Sequence, residues 1–357
     1  MIKDKTIVIS AAGTMGHINP GLSFAFLLKK YSPNIKIIFL TQKKNTNQII
    51  RHDYFCYIDS LFTVEATGIS RKALLKNLKL IKDSFKILDK IKKLYKDHNV
   101  NLVLGMGGYL SGYATYAAKQ LKIPYIIHEQ NIVMGLANKL SKKKAERVLV
   151  SFPKKGKNVV MVGNPRLLLA RSVLKDKKLK MKNHILVLSG SLGASFINNL
   201  LIDFLKTSES HEYFTTLVTG KRYYDDTVKK LSEIAGEHYR VLPYLDNPLK
   251  YMKESNLLIS RSGATTIFEV IGLEIPTIFI PSPNVVNNHQ LKNAQYLRNM
   301  GAAQLLTEKE VTMNTLQNTI KMTINDANLI KKLHTLSNKY SELLKTIEWD
   351  EYFEKNN

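Results

Sequence analysis

A histidine and a glutamate stand where two predicted strands end, in positions suited to acid–base chemistry. His17 closes the glycine-rich stretch GTMGH, which follows the apolar strand pattern Thr6–Ser10. Glu129 belongs to the polar stretch HEQN, residues 128–131, after another short apolar run. An imidazole, with an ordinary pKa of about 6.5, suits a general base at neutral pH. We expect His17 to be the base and Glu129 its rival; alternatively, His17 only caps or orients its loop.

The stretch ISRSGATTIFE, residues 259–269, carries groups suited to a nucleotide diphosphate. A predicted strand ends at Arg261, and small residues then turn into a helix whose free N–H groups attract phosphate. The Arg261 guanidinium adds a fixed cation. Glu269 lies one turn into the helix, where its carboxylate could accept both hydroxyls of a ribose. The alternative is a capping box in which Glu269 bonds its own helix end together with Thr266.

Three further loops carry polar or glycine-rich sequence. The stretch GMGGYLSG, residues 105–112, has more glycines than a tight turn requires and indicates a binding loop. The stretch SGSLGA, residues 189–194, is typical of phosphate turns, and NNHQLKNA, residues 287–294, supplies groups suited to sugar hydroxyls. The first loop of the chain lacks the G-x-G-x-x-G fingerprint and the acidic residue that follows it in dinucleotide-binding folds, which argues against NAD.

Short β-branched runs alternate with segments of helical length, such as Pro20–Tyr31 and Thr265–Leu273. This alternation predicts parallel sheets with helices on both faces. The two halves resemble each other, since IVISAAG near the start and ILVLSGSLG later each open a strand–helix unit. We therefore predict an α/β protein of two Rossmann-like doubly wound domains facing a cleft, with ligands at the carboxyl ends of the strands. The predicted domains are 1–164 with a C-terminal helix at about 338–357, and 165–337.

Composition narrows the classes of protein that the chain could belong to. Its 357 residues favour two domains, and the single cysteine, Cys56, excludes an internal disulfide or a thiolate metal cluster. No apolar run reaches the ~18 residues of a membrane-spanning helix, and the N-terminal run is short for a signal peptide, so we expect a cytoplasmic protein. The net charge of +24 predicts an anionic partner, or alternatively reflects a composition bias that places lysine on solvated surface.

The stretch from Ser70 to Lys96 reads as an amphipathic helix with lysines beside a broad apolar face. The apolar arc covers about half the circumference, wider than the ~100° stripe of an ordinary core-facing helix. This pattern suits the interface of an anionic membrane; the alternative is a helix packed on its sheet with a solvated lysine face. The predicted membrane residues are Leu75, Lys76, Lys79, Lys82 and Lys86.

Taken together, these segments resemble the MurG family of peptidoglycan N-acetylglucosaminyltransferases, in glycosyltransferase family 28. The resemblance runs from the first loop to about Gly301 and rests on Gly105–Gly112, His128–Asn131, Gly163–Pro165, Arg261–Glu269 and His289–Ala294. It implies a GT-B fold and inverting transfer of N-acetylglucosamine from UDP-N-acetylglucosamine to the muramoyl 4-hydroxyl of lipid I, giving lipid II. It also implies a peripheral protein on the cytoplasmic face of the cell membrane, with other cell-wall or division proteins as partners.

The same resemblance implies which residues form the site. The implied donor-binding residues are Thr14, Gly16, His17, Asn131, Arg166, Ser191, Leu245, Arg261, Ala264, Thr265, Glu269, His289 and Gln290. The implied acceptor-binding residues are Gly13, Gly107, Gly108 and Tyr109. Within the donor site, Ser191 would touch the diphosphate, Leu245 would meet uracil through its backbone, and Glu269 would hold the ribose. No Asp-x-Asp pair occurs in the chain, so we predict neither an obligatory metal nor another cofactor.

The chain departs from the family's pattern at two places. Ala12 and Met15 stand where the first loop usually has glycine. Arg166 follows Pro165 directly, and Leu167 occupies the arginine's usual place. Two other functions stay open: a GT-B glycosyltransferase acting on a membrane lipid such as diacylglycerol, and a basic protein that binds nucleic acid. The second is disfavoured because the basic residues are not interleaved with aromatics and no nucleic-acid module is recognisable.

Overall fold

The structure is a computed structural model that describes residues 5–65, 74–174, 183–190, 193–232, 234 and 236–354, with the backbone alone for 74–83, 286 and 354. The chain divides into two compact units. Unit 1 comprises residues 1–165 and 342–357, and unit 2 comprises residues 166–341.

Unit 1 is built on a seven-stranded parallel sheet in the order β3-β2-β1-β4-β5-β6-β7. The strands are β1 Thr6–Ser10, β2 Lys36–Gln42, β3 Ser60–Val64, β4 Val100–Gly105, β5 Tyr125–Glu129, β6 Val148–Val150 and β7 Val159–Met161. The helices between them are α1 Met15–Tyr31, α2 Thr46–Ile50, α3 Leu74–Asp97, α4 Gly108–Gln120 and α5 Leu136–Ser141. All five residues of β1 are buried, as expected for the central strand of a sheet covered on both faces.

Unit 2 repeats this plan with a six-stranded parallel sheet in the order β10-β9-β8-β11-β12-β13. The strands are β8 His184–Leu188, β9 Phe214–Val218, β10 Tyr239–Leu242, β11 Leu257–Ser260, β12 Thr277–Phe279 and β13 Gln304–Leu305. The helices are α6 Arg166–Leu174, α7 Ser195–Leu205, α8 Tyr224–Leu231, α9 Pro248–Glu254, α10 Ala264–Leu273, α11 His289–Asn299, α12 Met313–Thr323 and α13 Ala327–Lys345.

The C-terminal segment returns to unit 1 as the short helix α14, Asp350–Glu354. Trp349, the single tryptophan of the chain, is 3% exposed and lies edge-on to Phe24 of α1, with ring centroids 6.0 Å apart. The carboxylate of Asp350 accepts a hydrogen bond of 2.7 Å from the Tyr31 hydroxyl. These contacts anchor the tail on the helix that follows β1.

The predicted fold class, with two Rossmann-like doubly wound parallel sheets, is confirmed. The predicted boundary between residues 164 and 165 lies one residue from the division between the units. The first helix begins at Met15 and runs through Pro20, so its predicted start at Pro20 is wrong. Across the described ranges, no helix has both the length and the apolar character needed to cross a bilayer.

Candidate active site

The strand order of each unit fixes where a ligand site can form. In unit 1, β1 lies between β2 and β4 in the sheet. The chain continues from β1 to β2 on one side, and the strands from β4 onward lie on the other side. Loops that leave such a point open a crevice at the carboxyl ends of the strands. The N–H of Met106, after β4, donates to the carbonyl of Ser10, the last residue of β1, at 2.9 Å. The loops that carry His17 and Gly107 therefore start from adjacent strand ends.

His17 lies in the first turn of α1 and faces the loop that follows β4. Its Nδ1 is 3.4 Å from the hydroxyl of Thr14, the N-cap residue of the helix. Its ring lies against Gly107, where an added Cβ would come within 3.2 Å of Cδ2 and 3.3 Å of Nε2. Gly107 also has a φ of +87°, a conformation that side chains rarely adopt. The structure thus brings His17 to the glycine-rich loop, as the sequence predicts for a shared site.

Glu129, the rival base, is 3% exposed and already engaged by its own loop. Its Oε1 accepts from the N–H of Asn131 at 3.1 Å, while Oε2 accepts from the N–H of Gly135 and from Asn138 Nδ2, both at 2.9 Å. A carboxylate that accepts three such bonds closes the loop between β5 and α5. Asn131 is not a helix N-cap, because α5 begins at Leu136 with Gly135 as its N-cap.

Asn138 connects the two candidate bases and was missed by the sequence analysis. An added Cβ at Gly107 would lie 3.4 Å from Asn138 Nδ2, the same atom that donates to Glu129. The side chain is 2% exposed. The sequence offered only one signal for Asn138, an asparagine within a short helix. Many asparagines without a functional role occur in the same setting. His17, Gly107, Asn138 and Glu129 thus form one contiguous polar cluster at the strand ends of unit 1.

His128 lies beneath this cluster as a structural residue. Its Nε2 is 2.9 Å from the carbonyl of Gly163, and its Nδ1 is 3.1 Å from Gln130 Nε2. The Phe24 ring packs edge-on to the imidazole at 5.0 Å. Burial of the ring lowers the pKa of His128 to about 4, outweighing the opposite effect of the Gly163 carbonyl. The imidazole is therefore neutral at physiological pH.

The predicted acceptor residues all lie around these loops. Gly13 has a φ of +93°, and its N–H donates to Asn45 Oδ1 at 3.2 Å, which fixes the first loop. Gly108 has a φ of +76°, and a Cβ there would sit 3.4 Å from the Ala12 carbonyl. Tyr109 is partly buried on the core of unit 1. Burial, and secondarily the neighbouring Tyr113, raises the pKa of Tyr109 to about 12, so its phenol stays neutral.

In unit 2, the loops after β8 and β9 are held by a buried polar network that the sequence analysis did not identify. The Ser189 hydroxyl donates to Asn198 Oδ1 at 2.5 Å, and Asn198 Nδ2 donates to the Thr219 carbonyl at 3.0 Å. All three residues are buried. Ser191, the predicted diphosphate contact in this loop, lies outside the described residues.

The loop after β11 turns into α10 as predicted. Gly263 is the N-cap and forms no side-chain cap, so the helix N-terminus at Ala264 and Thr265 presents backbone N–H groups. Arg261 Nη1 donates to the Ile280 carbonyl at 2.9 Å and lies 2.6 Å from Glu308 Oε1. The Arg261 guanidinium is therefore fixed at the carboxyl edge of the sheet, with part of its charge offset by Glu308.

Glu269 does not form a capping box, so that alternative is wrong. Its Oε1 accepts a hydrogen bond of 2.6 Å from Arg166 Nε, and the two side chains are 9% and 6% exposed. Arg166 is the first residue of α6, which packs on α10. The sequence placed both residues in the donor site, and the structure brings them together as an ion pair within unit 2.

The remaining predicted donor residues follow the next strand ends of unit 2. Leu245 is buried in the loop after β10, and Ala264 is buried at the start of α10. His289 begins α11 after two residues with positive φ, Asn287 and Asn288. Gln290 Oε1 accepts from the N–H of Ser282 at 2.9 Å, so this side chain shapes the loop after β12.

Of the predicted membrane residues, only Lys86 has a described side chain, and it is exposed on α3. The side chains of Leu75, Lys76, Lys79 and Lys82 lie outside the described part, although their backbone forms α3. Within the described residues, no group of three histidine, cysteine, aspartate or glutamate side chains is arranged to hold a metal ion. The absence of an obligatory metal stays a prediction.

The chain is similar to known glycosyltransferases along nearly its whole length. Residues 7–150 match the glycosyltransferase family 28 N-terminal domain, and residues 184–347 match the C-terminal domain of that family. A relative from Acetivibrio thermocellus is 32% identical over 92% of this chain and 91% of its own. One from Oenococcus oeni is 36% identical over 86% and 85%. Both are named UDP-N-acetylglucosamine–N-acetylmuramyl-(pentapeptide) pyrophosphoryl-undecaprenol N-acetylglucosamine transferase.

Solved structures agree with this similarity. The crystal structure of Acinetobacter baumannii MurG aligns with a TM-score of 0.69 and 25% identity, covering 96% of this chain and 99% of that one. The calicheamicin glycosyltransferase CalG4 aligns over all of both chains with a TM-score of 0.70 but only 9% identity, which shows a shared fold alone.

Proposed function

The chain belongs to glycosyltransferase family 28, and from that premise we propose that it transfers N-acetylglucosamine from UDP-N-acetylglucosamine to the muramoyl 4-hydroxyl of lipid I. Lipid I is undecaprenyl-diphospho-N-acetylmuramoyl-pentapeptide, and the products are lipid II and UDP. The observation that carries the proposal is the 32–36% identity to transferases of that name over most of the chain. The enzyme would serve peptidoglycan synthesis, and so cell shape and division.

Unit 2 is the proposed donor domain. The N-terminus of α10 and the guanidinium of Arg261 would meet the diphosphate, whose negative charge grows as UDP leaves. The carboxylate of Glu269 would accept hydrogen bonds from the ribose. The absence of an Asp-x-Asp pair supports a protein that supplies this positive potential without an obligatory metal. Full activity in the presence of a chelator is the expected result.

Unit 1 is the proposed acceptor domain, with His17 as the general base. A bond forms between the acceptor oxygen and the anomeric carbon while the bond from that carbon to the UDP oxygen breaks on the opposite face. The acceptor hydroxyl proton passes to an imidazole nitrogen of His17, and configuration inverts. The His17 ring lies beside Gly107, which carries no side chain, and this would leave room for an acceptor next to the imidazole. Because the oxygens of Glu129 already accept three hydrogen bonds, the geometry favours His17.

The lipid-linked acceptor calls for a membrane contact, and one face of unit 1 is suited to it. Helix α4 packs against both α3 and α5, and the 2.6 Å hydrogen bond between the hydroxyls of Ser84 and Tyr113 joins α4 to α3. We name the outer surface of these helices the α3–α5 face. Its exposed apolar side chains are Phe85, Tyr116, Leu136 and Leu140, at 67%, 48%, 65% and 75% exposure. Exposed lysines on these helices and in the segment just after α5 include Lys86, Lys119, Lys139, Lys142, Lys143 and Lys144. Apolar groups among lysines suit an anionic bilayer surface.

One transfer assay tests the proposal. Radiolabelled UDP-N-acetylglucosamine is incubated with a lipid I analogue, and in parallel with diacylglycerol and with no acceptor. Label in the lipid I product alone is the expected result. Label in diacylglycerol would favour the alternative lipid glycosyltransferase. Retarded migration of DNA without binding of the UDP-sugar would favour the nucleic-acid-binding alternative.

A further inference from the structure

The buried pair of Arg166 and Glu269 depends on a close contact between two helices of unit 2. An added Cβ at Gly272 would lie 2.7 Å from the Ala170 Cβ and 2.7 Å from the Leu167 carbonyl, so α6 and α10 approach closely there. Gly272 lies three residues after Glu269, on the same side of α10. The close approach therefore sets the position from which Arg166 reaches the carboxylate.

Stability alone is a weak reason for such a pair. Removing two charges from water costs several kcal/mol per ion, and replacing a buried pair by apolar residues is often neutral or stabilising. Position 167, where the family's arginine usually stands, holds a fully buried leucine instead. At position 166 the guanidinium reaches Glu269 at an N–O distance of 2.6 Å, just below the range of about 2.7–2.9 Å for charge-assisted N–H···O bonds.

We infer that Arg166 is a positioning residue, which acts on the donor by orienting Glu269 toward the ribose hydroxyls. Its Nε donates a hydrogen bond to Oε1 of Glu269. The other carboxylate oxygen, Oε2, would then accept from the ribose. The inference rests on the proposed nucleotide donor, and it replaces the direct donor contact that the family resemblance implied for Arg166.

Calorimetric binding of UDP and of 2′-deoxy-UDP distinguishes the two roles, because only UDP carries the 2′-hydroxyl. Wild type should prefer UDP by about tenfold or more, the value of one hydrogen bond to a charged group. Arg166→Lys keeps the charge but loses the geometry of the guanidinium. It should reduce this preference toward one, and 2′-deoxy-UDP should lose less affinity than UDP because only its 3′-hydroxyl still contacts the carboxylate. Arg171→Lys, also on α6, is the matched control and should keep the preference.

An Arg166→Lys variant that weakens both nucleotides by the same factor, and so keeps the preference, would overturn the inference and support a direct contact. A variant that behaves as wild type toward both would also overturn it.

A double variant covers the case in which Arg166→Lys leaves the carboxylate strained and the protein unfolded. In Glu269→Gln both shape and hydrogen bonding are nearly kept, and the double variant Arg166→Met with Glu269→Gln removes both charges. The double variant should bind both nucleotides as Glu269→Gln alone does, because a residue that acts only through Glu269 adds nothing once that carboxylate is gone. A further loss of affinity for 2′-deoxy-UDP would contradict the inference.

The binding assay uses no acceptor, so its failure differs from failure of the proposed function. Wild type that prefers UDP but transfers no sugar to lipid I would refute the acceptor and leave the inference standing. Wild type that transfers sugar but binds the two nucleotides equally would refute the inference alone. Wild type that binds neither nucleotide would refute both.

Discussion

The imidazole of His17 lies directly against Gly107, and this contact joins the first strand-end loop of unit 1 to the second. An added Cβ at Gly107 would be 3.3 Å from His17 Nε2, the nitrogen remote from Thr14. Only a residue without a side chain allows both this contact and the φ of +87° at position 107. On the proposed function, the glycine would keep space beside the base for an acceptor.

Gly107→Ala should lower turnover by more than tenfold, because a methyl group there moves the imidazole of His17 and strains the loop. The strain alone amounts to about 1–3 kcal/mol, because a φ of +87° with a ψ of −179° is a conformation essentially restricted to glycine. Gly112→Ala is the matched control, since a Cβ at Gly112 meets Ala137 at 3.7 Å, an ordinary contact, inside helix α4. Steady-state transfer rates of the two variants decide the matter. Equal rates would contradict a role for the contact.

The sequence predicted the parts of the site that depend on local chemistry. Glycine-rich loops after apolar strands, and a histidine in the first of them, are visible without a structure because strand ends of parallel sheets gather ligands. The same reasoning placed the start of α10 within one residue, since Gly263 interrupts the strand pattern. The first helix was predicted to start too late because Pro20 was read as its first residue, whereas Thr14 is the N-cap.

The partners of the charged residues were beyond the sequence. Arg166 and Glu269 are 103 positions apart, and they meet only because α6 packs on α10 at Gly272. Glu308 faces Arg261 for a similar reason, since it follows β13 at the edge of the same sheet. Strand β3 was also not predicted. It lies at the edge of the sheet and only one of its five residues is buried, so its sequence shows little hydrophobic alternation.

His17→Ala should lower turnover by about 100-fold or more while UDP binding is unchanged, as expected on loss of a general base. Glu129→Gln should act mainly on stability, because an amide accepts less well from the N–H groups of Asn131 and Gly135 and brings its own donors toward them. We expect a loss of about 1–3 kcal/mol in the free energy of unfolding. Transfer assays and urea denaturation of both variants measure these effects. Loss of turnover in folded Glu129→Gln with near-normal His17→Ala would reverse the assignment.

The buried imidazole of His128 should make unit 1 less stable in mild acid. Its folded pKa of about 4 lies below the ordinary 6.5 of an unfolded chain. The unfolded state therefore binds more protons between these values, and stability falls as pH decreases through that window. From pH 7 to pH 5 the loss should be about 2 kcal/mol, and above pH 7 the residue adds no pH dependence.

Fluorescence of Trp349 can follow this transition, because it is the single tryptophan and packs on Phe24, which contacts His128. Urea unfolding at the two pH values is compared between wild type and His128→Gln, which has no titrating ring at this position. Between pH 7 and pH 5, the free energy of unfolding should fall by about 2 kcal/mol less in the variant than in wild type. The same pH difference in both proteins would exclude His128 as its source.

The α3–α5 face should bind anionic vesicles through both charge and apolar contact. Replacing Lys142, Lys143 and Lys144 together by glutamine removes about 1 kcal/mol of attraction per lysine and should weaken binding by about 100-fold at low salt. Leu140→Ala should weaken it by roughly tenfold at any salt, because the lost term is apolar burial. Sedimentation with vesicles of acidic or neutral lipid measures both effects.

Two variants on unit 2 provide matched controls for the vesicle assay. Lys331→Gln with Lys332→Gln removes exposed lysines, and Met322→Ala removes an apolar side chain that is 72% exposed. Neither should change binding, because a specific face rather than the net charge of +24 holds the membrane. Equal binding to neutral and acidic vesicles would refute the electrostatic part of the prediction. If the unit 2 lysines matter as much as those that follow α5, attraction is spread over the whole surface. The acceptor would then reach His17 without a dedicated membrane-docking face.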